Sequence, residues 1–158
     1  MKVRVKVSHN MEARNRINAI AKSAKMQVGW FENLKYEDGQ QVAAVAAQNE
    51  FGNASKRIPA RPFMRPARDG NLNKWVDTFR RNIALTHYIT NSLDVLGLVV
   101  TGDIRQAINQ VYSPPLSPMT IAYRMSKYKG NKFTSSITKP LIDTALMISS
   151  VTHKTEVK

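Results

Sequence analysis

The pattern of hydrophobic and polar positions predicts strands and helices along the first third of the chain. Residues 2–8 alternate Val with cationic or polar residues, which predicts a half-buried strand. Residues 11–24 place Ala and Ile at spacings of three and four, which predicts an amphipathic helix. The aromatic stretch QVGWFE at residues 27–32 predicts a second strand. The alanine-rich residues 40–51 predict a short helix that ends at Gly52.

The same pattern predicts a helical middle and a short terminal strand in the rest of the chain. Residues 71–85 and 92–111 carry large apolar residues at helical spacing, and the second stretch is the strongest periodic signal in the sequence. A helical turn is expected at residues 143–149. Alternation at residues 150–157 predicts a closing strand.

These elements predict an α+β fold in which a small mixed or antiparallel β-sheet is packed by the long helix at about 92–111 and by shorter helices, with extended loops or arms. The length of 158 residues indicates a single domain over 1–158. Within it we expect a Pro-rich extended segment at 52–67 and a basic loop or arm at about 113–140, in which Ser117 is expected to cap a short turn that starts at Pro118.

The Pro-rich segment lies within QNEFGNASKRIPARPFMRPA, residues 48–67. Its three prolines disfavour helix, so residues 58–66 are predicted to be extended at an edge or on the surface. In an extended chain Arg61, Phe63 and Arg65 point to the same side. Arg and aromatic residues dominate protein interfaces, which favours docking to a partner, whereas the alternative buries the phenylalanine in the chain's own core. The predicted interface residues are Asn49, Glu50, Phe51, Pro59, Arg61, Pro62, Phe63 and Arg65.

Charge adds a partner class to this picture. The chain has 24 Lys and Arg against 11 Asp and Glu, a net charge of +13. Such a balance indicates nucleic acid, an anionic membrane surface or an acidic protein face, although it also occurs on merely soluble basic surfaces. The basic arm interleaves aromatics with cations, which is typical either of a groove for single-stranded nucleic acid or of a solvated loop. The candidate contacts for an acidic partner or DNA are Arg124, Lys127, Lys129, Lys132 and Lys139.

Candidate chemistry is sparse in the sequence. The absence of cysteine excludes disulfides, thiolate metal sites and cysteine nucleophiles, and it suits assembly in a cytosol. The three histidines stand alone, so no metal site is predicted. Neither a signal peptide nor a membrane-spanning stretch is expected. A hydrolytic pair built on Glu32 and Glu50 is conceivable, but acids at a turn and a helix start are more typical of dipole complements. We therefore predict no catalytic residue and no cofactor.

Four stretches in a fixed order carry a resemblance to a known family. They are VGWFENLKYEDGQQVAAVAAQNEFGNASKRIPARPFMRPA from Val28, GDIRQAI at 102–108, LSPMTIAYR at 116–124 and KPLIDTALMISSV at 139–151. This succession resembles the head–tail joining proteins of long-tailed bacteriophages, also called tail-completion, neck or tail-component proteins. The family usually has Gly after Asp-Thr, where this chain has Ala145, and alanine resists the backbone angle that glycine permits there.

The resemblance implies a non-enzymatic structural part of the virion. Family members form rings between the head connector and the tail, around the channel through which double-stranded DNA passes. The implied partners are copies of the chain, a neighbouring connector protein and a tail tube or terminator protein, with no membrane. The implied location is the head–tail junction of a virion that is assembled in the host bacterial cytoplasm.

On this hypothesis the segment at 49–65 and the arm at 123–139 reach neighbouring subunits across a heterologous interface. Asn49 and Glu50 are expected to hydrogen-bond the following loop and hold residues 58–66 in place. The competing class is a basic DNA-binding protein that acts independently of the virion, and it predicts salt-sensitive binding of free DNA.

Overall fold

The computed structural model describes residues 24–31, 34–129 and 137–157, and the α+β class is confirmed. The predicted strand at 2–8 and residues 11–23 of the predicted first helix lie outside these residues. In chain order the described elements are β1 (Ala24–Gly29), α1 (Val42–Phe51), α2 (Met64–Thr86), α3 (Ile89–Gln110), α4 (Pro118–Lys127), α5 (Leu146–Ser150) and β2 (Thr152–Val157).

Strands β1 and β2 pair antiparallel and lie against α3. In β1, Met26 and Val28 pack against the core while Lys25 and Gln27 are exposed, which is the period-two pattern of a strand with one buried face. Helix α3 approaches β2 closely at Gly97, where a Cβ atom would overlap the imidazole of His153. The glycine therefore permits the contact between helix and sheet.

Helices α2 and α3 form an antiparallel hairpin that is linked by two residues. His87 ends α2 in the left-handed region with φ 58°, and its N–H donates to the carbonyl of Ile83 at 3.0 Å. Further along the hairpin, the carboxylate of Asp103 accepts from Lys74 Nζ at 2.6 Å and from Trp75 Nε1 at 2.7 Å. These contacts fix the register of the two long helices.

The hydrophobic core draws on four helices, α1, α2, α3 and α5, and on the residues immediately before α2 and β2. Its buried members are Val42, Ala46, Phe63, Ala67, Val100, Ile104, Ile108, Met147 and Val151. Arg105 of α3 donates to the carbonyls of Ser149 and Val151 at 3.2 and 3.0 Å, which ties the end of α5 to the long helix. The short terminal elements are thus held by α3 as well as by the sheet.

The start of α2 corrects the prediction for the Pro-rich segment. The helix predicted at 71–85 begins instead at Met64, so Met64–Pro66 is helical rather than extended. Pro66 is tolerated because the first N–H groups of a helix have no intrahelical acceptor. The free N–H groups at this helix start find their acceptor in the side chain of Glu50.

Other boundaries also differ from the predictions. Strand β1 covers residues 24–29 rather than 27–32, so Ala24 is the first residue of a strand and not the end of a helix. Helix α3 begins at Ile89, before the predicted residue 92, and helix α5 begins at Leu146 rather than at 143. The helices predicted at 40–51 and 92–111 are confirmed, with ends that differ from the prediction by no more than three residues.

The basic arm contains a helix that the sequence analysis placed in a loop. Helix α4 starts at Pro118, and Ser117 Oγ accepts from the N–H of Thr120 at 3.2 Å. This confirms the predicted cap, since Ser at the N-cap and Pro at the first helical position both suit a helix start. The description of 113–140 as loop-rich is therefore wrong for its first half.

Candidate functional site

The carboxylate of Glu50 joins the end of α1 to the start of α2. Its Oε2 accepts the N–H groups of Phe63 and Met64 at 2.7 and 2.9 Å, and its Oε1 accepts the N–H and Nε–H of Arg65 at 3.2 and 2.9 Å. The carbonyl of Asn49 accepts from the N–H of Arg61 at 2.6 Å. The hypothesis that these two acceptor residues hold the Pro-rich segment is confirmed, with Asn49 acting through its backbone.

The surroundings of Glu50 favour the ionised form of its carboxyl group. Burial alone would raise the pKa of this carboxyl, but hydrogen bonds from Phe63, Met64 and Arg65 outweigh burial and lower the pKa below its usual value of 4.5. A carboxylate that holds four donors is a poor general acid, and its lone pairs are already occupied. Glu32, its proposed hydrolytic partner, lies outside the described residues.

Arg61 and Phe63 are internal, which corrects their prediction as interface anchors. Phe63 is 1% exposed and its ring meets that of Trp30 edge-on at 5.9 Å, whereas Arg61 is 6% exposed. Arg61 donates through Nε and one terminal nitrogen to the carbonyls of Pro114 and Pro115, at 2.6 and 2.8 Å. Arg65 does not share their side of the chain because it already belongs to α2.

The exposed remainder of the predicted interface is smaller than the sequence indicated. Phe51 is 69% exposed, and the guanidinium carbon of Arg65 lies 5.2 Å from the centroid of its ring. Pro59 and Pro62 are also exposed. We define the docking patch as Phe51, Pro59, Pro62 and Arg65, the predicted residues that remain available to a partner.

Arg124 is buried, which corrects its prediction as a contact for an acidic partner. One terminal nitrogen donates to the carbonyls of Lys139 and Ile142 at 2.9 and 2.8 Å, and Nε lies 3.3 Å from Asp143 Oδ1. The guanidinium thus fixes the chain that follows the basic arm. A cation in this position stabilises the fold through carbonyl groups that would otherwise lack a donor.

The lysines of the arm have different surroundings. Lys127 Nζ lies 3.4 Å from Asp143 Oδ2, and Lys139 Nζ lies 5.3 Å from the ring centroid of Tyr112. Lys129 is exposed, so it stays a candidate contact for an acidic partner. Lys132 lies outside the described residues. Among the five predicted contacts, Lys129 is therefore the exposed cation for which the structure describes no neighbouring acid or aromatic ring.

Residues of the resembling stretches that are far apart in sequence line one open cavity of about 240 Å³. Arg61 and Arg124 lie at this cavity, which we call the arginine pocket. The other polar residues that line the arginine pocket are Tyr36, Asp38, Gln40, Asn49, Asp143 and Thr144. Three of the four resembling stretches thus meet at one place in the fold.

The arginine pocket perturbs the groups around it. Burial lowers the pKa of Arg61, and the neighbouring charge of Arg124 lowers the pKa further. Burial raises the pKa of Tyr36, and the nearby carboxylates of Asp143 and Asp38 add to this effect. The interior of the pocket is therefore cationic at Arg61 and anionic beside the tyrosine.

The sequence analysis missed Asp143 as an organising residue. Its carboxylate accepts the hydroxyl of Tyr128 at 2.9 Å and also meets Arg124 and Lys127. One signal in the sequence could have identified this aspartate. The basic arm at 113–140 contains no Asp or Glu, and Asp143 is the first acid after it. Neither its partners nor the carbonyls that bind Arg61 are close in sequence, so periodicity carried no information on them.

Other site types receive no support within the described residues. No group of three His, Cys, Asp or Glu side chains in the described ranges could hold a metal ion. Among the helices that the structure describes, none is long and apolar enough to cross a membrane. Comparisons with models of protein families, with curated proteins and with solved structures return no match. The resemblance to head–tail joining proteins therefore stays a prediction.

Proposed function

We propose that this chain is a structural protein of a bacteriophage head–tail junction, where copies form a ring that joins the head connector to the tail around the DNA channel. Its neighbours in that ring are copies of itself, a connector protein and a tail protein. The chain acts by docking and performs no reaction.

The observation that carries the proposal is the meeting of the resembling stretches in the fold. Residues of the first, third and fourth stretches line the arginine pocket, and Ile104 and Ile108 of the second belong to the core. Their convergence supports the ordered resemblance as the property of a single fold.

The exposed side chains of the docking patch support binding to a protein partner. Arg65 is half exposed, with 52% of its side chain accessible, yet its guanidinium is held by Glu50 and by the Phe51 ring. A preorganised arginine beside an exposed aromatic ring binds a partner at little entropic cost. The rigid attachment of the docking patch to two helices gives it the fixed geometry that ring closure requires.

A DNA-binding protein that acts alone remains the second candidate, and the net charge of +13 favours it. It predicts that the purified chain binds short duplex DNA with an affinity that falls steeply as salt increases. The burial of Arg124 and the acidic neighbour of Lys127 weaken this candidate, because both cations already neutralise groups of the chain itself.

The first experiment asks where the chain is in the particle. Purified virions of the phage that encodes it are labelled with an antibody to the chain, and particles made without the chain are imaged by electron microscopy. We expect label at the neck, and we expect DNA-filled heads separate from tails when the chain is missing. Absence of the chain from purified particles would refute the proposal.

A surface variant tests the docking patch itself. Phe51→Asp places a charge at the exposed ring, and Leu85→Asp places the same charge at the 81% exposed end of α2 as a matched control. Both chains are expected to fold, since both side chains lie in solvent. We expect unjoined heads and tails with the Phe51 variant and normal particles with the control; equal infectivity of the two would exclude the patch.

A further inference from the structure

The arginine pocket contains a buried cation without an acidic partner among the described residues. Arg61 is 6% exposed, and the groups that bind it there are the two neutral carbonyls of Pro114 and Pro115. The neighbouring charge that lowers the pKa of Arg61 is also a cation, that of Arg124. Buried charges in proteins are usually paired or coordinated, so an uncompensated guanidinium indicates a place for an anion.

Donor counting leads to the same conclusion. A guanidinium has five N–H donors, and the two hydrogen bonds of Arg61 use two of them, from Nε and from one terminal nitrogen. The structure describes no acceptor for the other three. Arg61 lines the cavity of about 240 Å³, so this buried side chain borders a space that is open to solvent. Carboxylate and phosphate groups both match the geometry of such a fork.

The remaining polar groups that line the arginine pocket restrict which anion can bind there. Tyr36, Asn49 and Thr144 offer hydroxyl and amide groups to a bound oxygen. Two carboxylates also line the cavity. That of Asp143 is held by Arg124, Lys127 and Tyr128, whereas that of Asp38 lies in an exposed turn and accepts from the backbone and side chain of Gln40. This negative charge opposes a polyanion such as DNA more strongly than it opposes one carboxylate, because repulsion grows with each added phosphate.

We propose that the arginine pocket binds a single carboxylate group, presented by an acidic side chain or chain end, against the guanidinium of Arg61. The site requires only the geometry of the described residues. That the carboxylate belongs to a neighbouring virion protein rests on the proposed function. A carboxylate inserted here would contact both α1 and the segment before α2, the two elements that Glu50 joins from the other side.

The test follows the Arg61 side chain directly. The full chain, labelled with ¹⁵N-arginine, is titrated at low salt with the blocked peptide acetyl-Gly-Glu-Gly-amide, while the Nε–H signals are recorded by NMR. The control probe is the same peptide with Gln in place of Glu. We expect the Glu peptide to shift the Arg61 signal in a saturable way at millimolar concentration, and the Gln peptide to leave it in place. A missing shift, or equal shifts with both peptides, would overturn the proposal.

A matched pair of variants separates the pocket from general electrostatics. Asp38→Asn and Glu37→Gln each remove one negative charge from the same exposed turn, but only Asp38 lines the arginine pocket. We expect Asp38→Asn to tighten binding of the Glu peptide about threefold and Glu37→Gln to change it by less than about half that factor. Equal effects of the two changes would assign the binding to net charge and not to the pocket.

Two further probes identify the source of the anion. Inorganic phosphate that shifts Arg61 with the same dependence on Asp38 supports the site and widens its ligand to small anions. A short DNA duplex that shifts Arg61 at lower concentration than the Glu peptide would overturn the carboxylate assignment. Because these titrations need no virion, a chain that is absent from particles yet binds the Glu peptide refutes the proposed function alone.

Discussion

Replacement of Glu50 by Gln tests the joint between α1 and α2. The change keeps the shape of the side chain but replaces one acceptor oxygen by an NH₂ group. In the native protein each carboxylate oxygen accepts two N–H donors, from Phe63 and Met64 on one side and from Arg65 on the other. Whichever way the amide turns, two donors lose their acceptor.

The cost follows from this count. The amide should place its NH₂ group toward Arg65, because that side chain is half exposed and water can replace the lost acceptor there. Two lost bonds at roughly 1 kcal/mol each, with the charge removed from the start of α2, amount to about 2–3 kcal/mol of unfolding free energy. For a chain of this size that corresponds to a decrease of about 5–10 °C in the melting temperature.

The pH dependence gives this prediction a second readout. The pKa of Glu50 is lower in the folded chain than its unperturbed value of 4.5, so its stabilisation is complete above that value and is lost as the pH falls through the folded pKa. Gln does not titrate. The difference in unfolding free energy between wild type and Glu50→Gln should therefore be constant near neutral pH and should narrow as the pH falls below 4.5.

Urea unfolding followed by circular dichroism at 222 nm, from about pH 3 to pH 7, measures both effects. Glu37→Gln is the control, because Glu37 is exposed in a turn and its replacement should change the free energy by less than about 0.5 kcal/mol. A loss below about 1 kcal/mol at neutral pH would contradict the assigned hydrogen bonds. A difference that persists unchanged to pH 3 would contradict the titration of Glu50.

Three further predictions concern stability and are measured in the same way. Gly97→Ala should lower the unfolding free energy by about 1 kcal/mol or more, because the added Cβ would overlap His153. Gly102→Ala in the same helix meets open space and should raise the unfolding free energy by about 0.5–1 kcal/mol. Changes of the same sign for both would refute the packing of α3 on β2. Ala145→Gly should stabilise by about 0.5 kcal/mol, since Ala145 has φ 60°, and a decrease would show that this backbone angle is not strained. Arg124→Lys should cost about 2–3 kcal/mol, because an ammonium cannot reproduce the planar fork; a loss below about 1 kcal/mol would mean that the buried carbonyls have other donors.

Ala145 illustrates how a resemblance and a structure inform each other. The family pattern has glycine at this position, and the structure places the alanine in the left-handed region, with φ 60°, immediately before α5. The backbone angle that the pattern implies is therefore present although the residue that suits it is not. The local turn is kept at a cost in strain, which Ala145→Gly is designed to measure.

Local patterns in the sequence determined the elements that depend on near neighbours. The periodicity of residues 92–111 predicted the helix observed as α3, because apolar residues three and four apart share a helix face whatever surrounds them. The pair Ser117 and Pro118 predicted the start of α4 for the same reason, since a capping hydroxyl acts within one turn. The alternation before the end of the chain predicted β2.

Only the tertiary structure decided which cations and aromatic residues are buried and which are exposed. Phe63 was predicted as an anchor because interfaces and cores both favour aromatic residues, and Arg61 because arginine is seldom buried. The burial of Phe63 depends on Trp30, and that of Arg61 on carbonyls more than fifty positions away. The helical start at Met64 depends likewise on a carboxylate fourteen residues earlier. Contacts between distant segments leave no period in the sequence, so the arginine pocket could be found only once the chain had been folded.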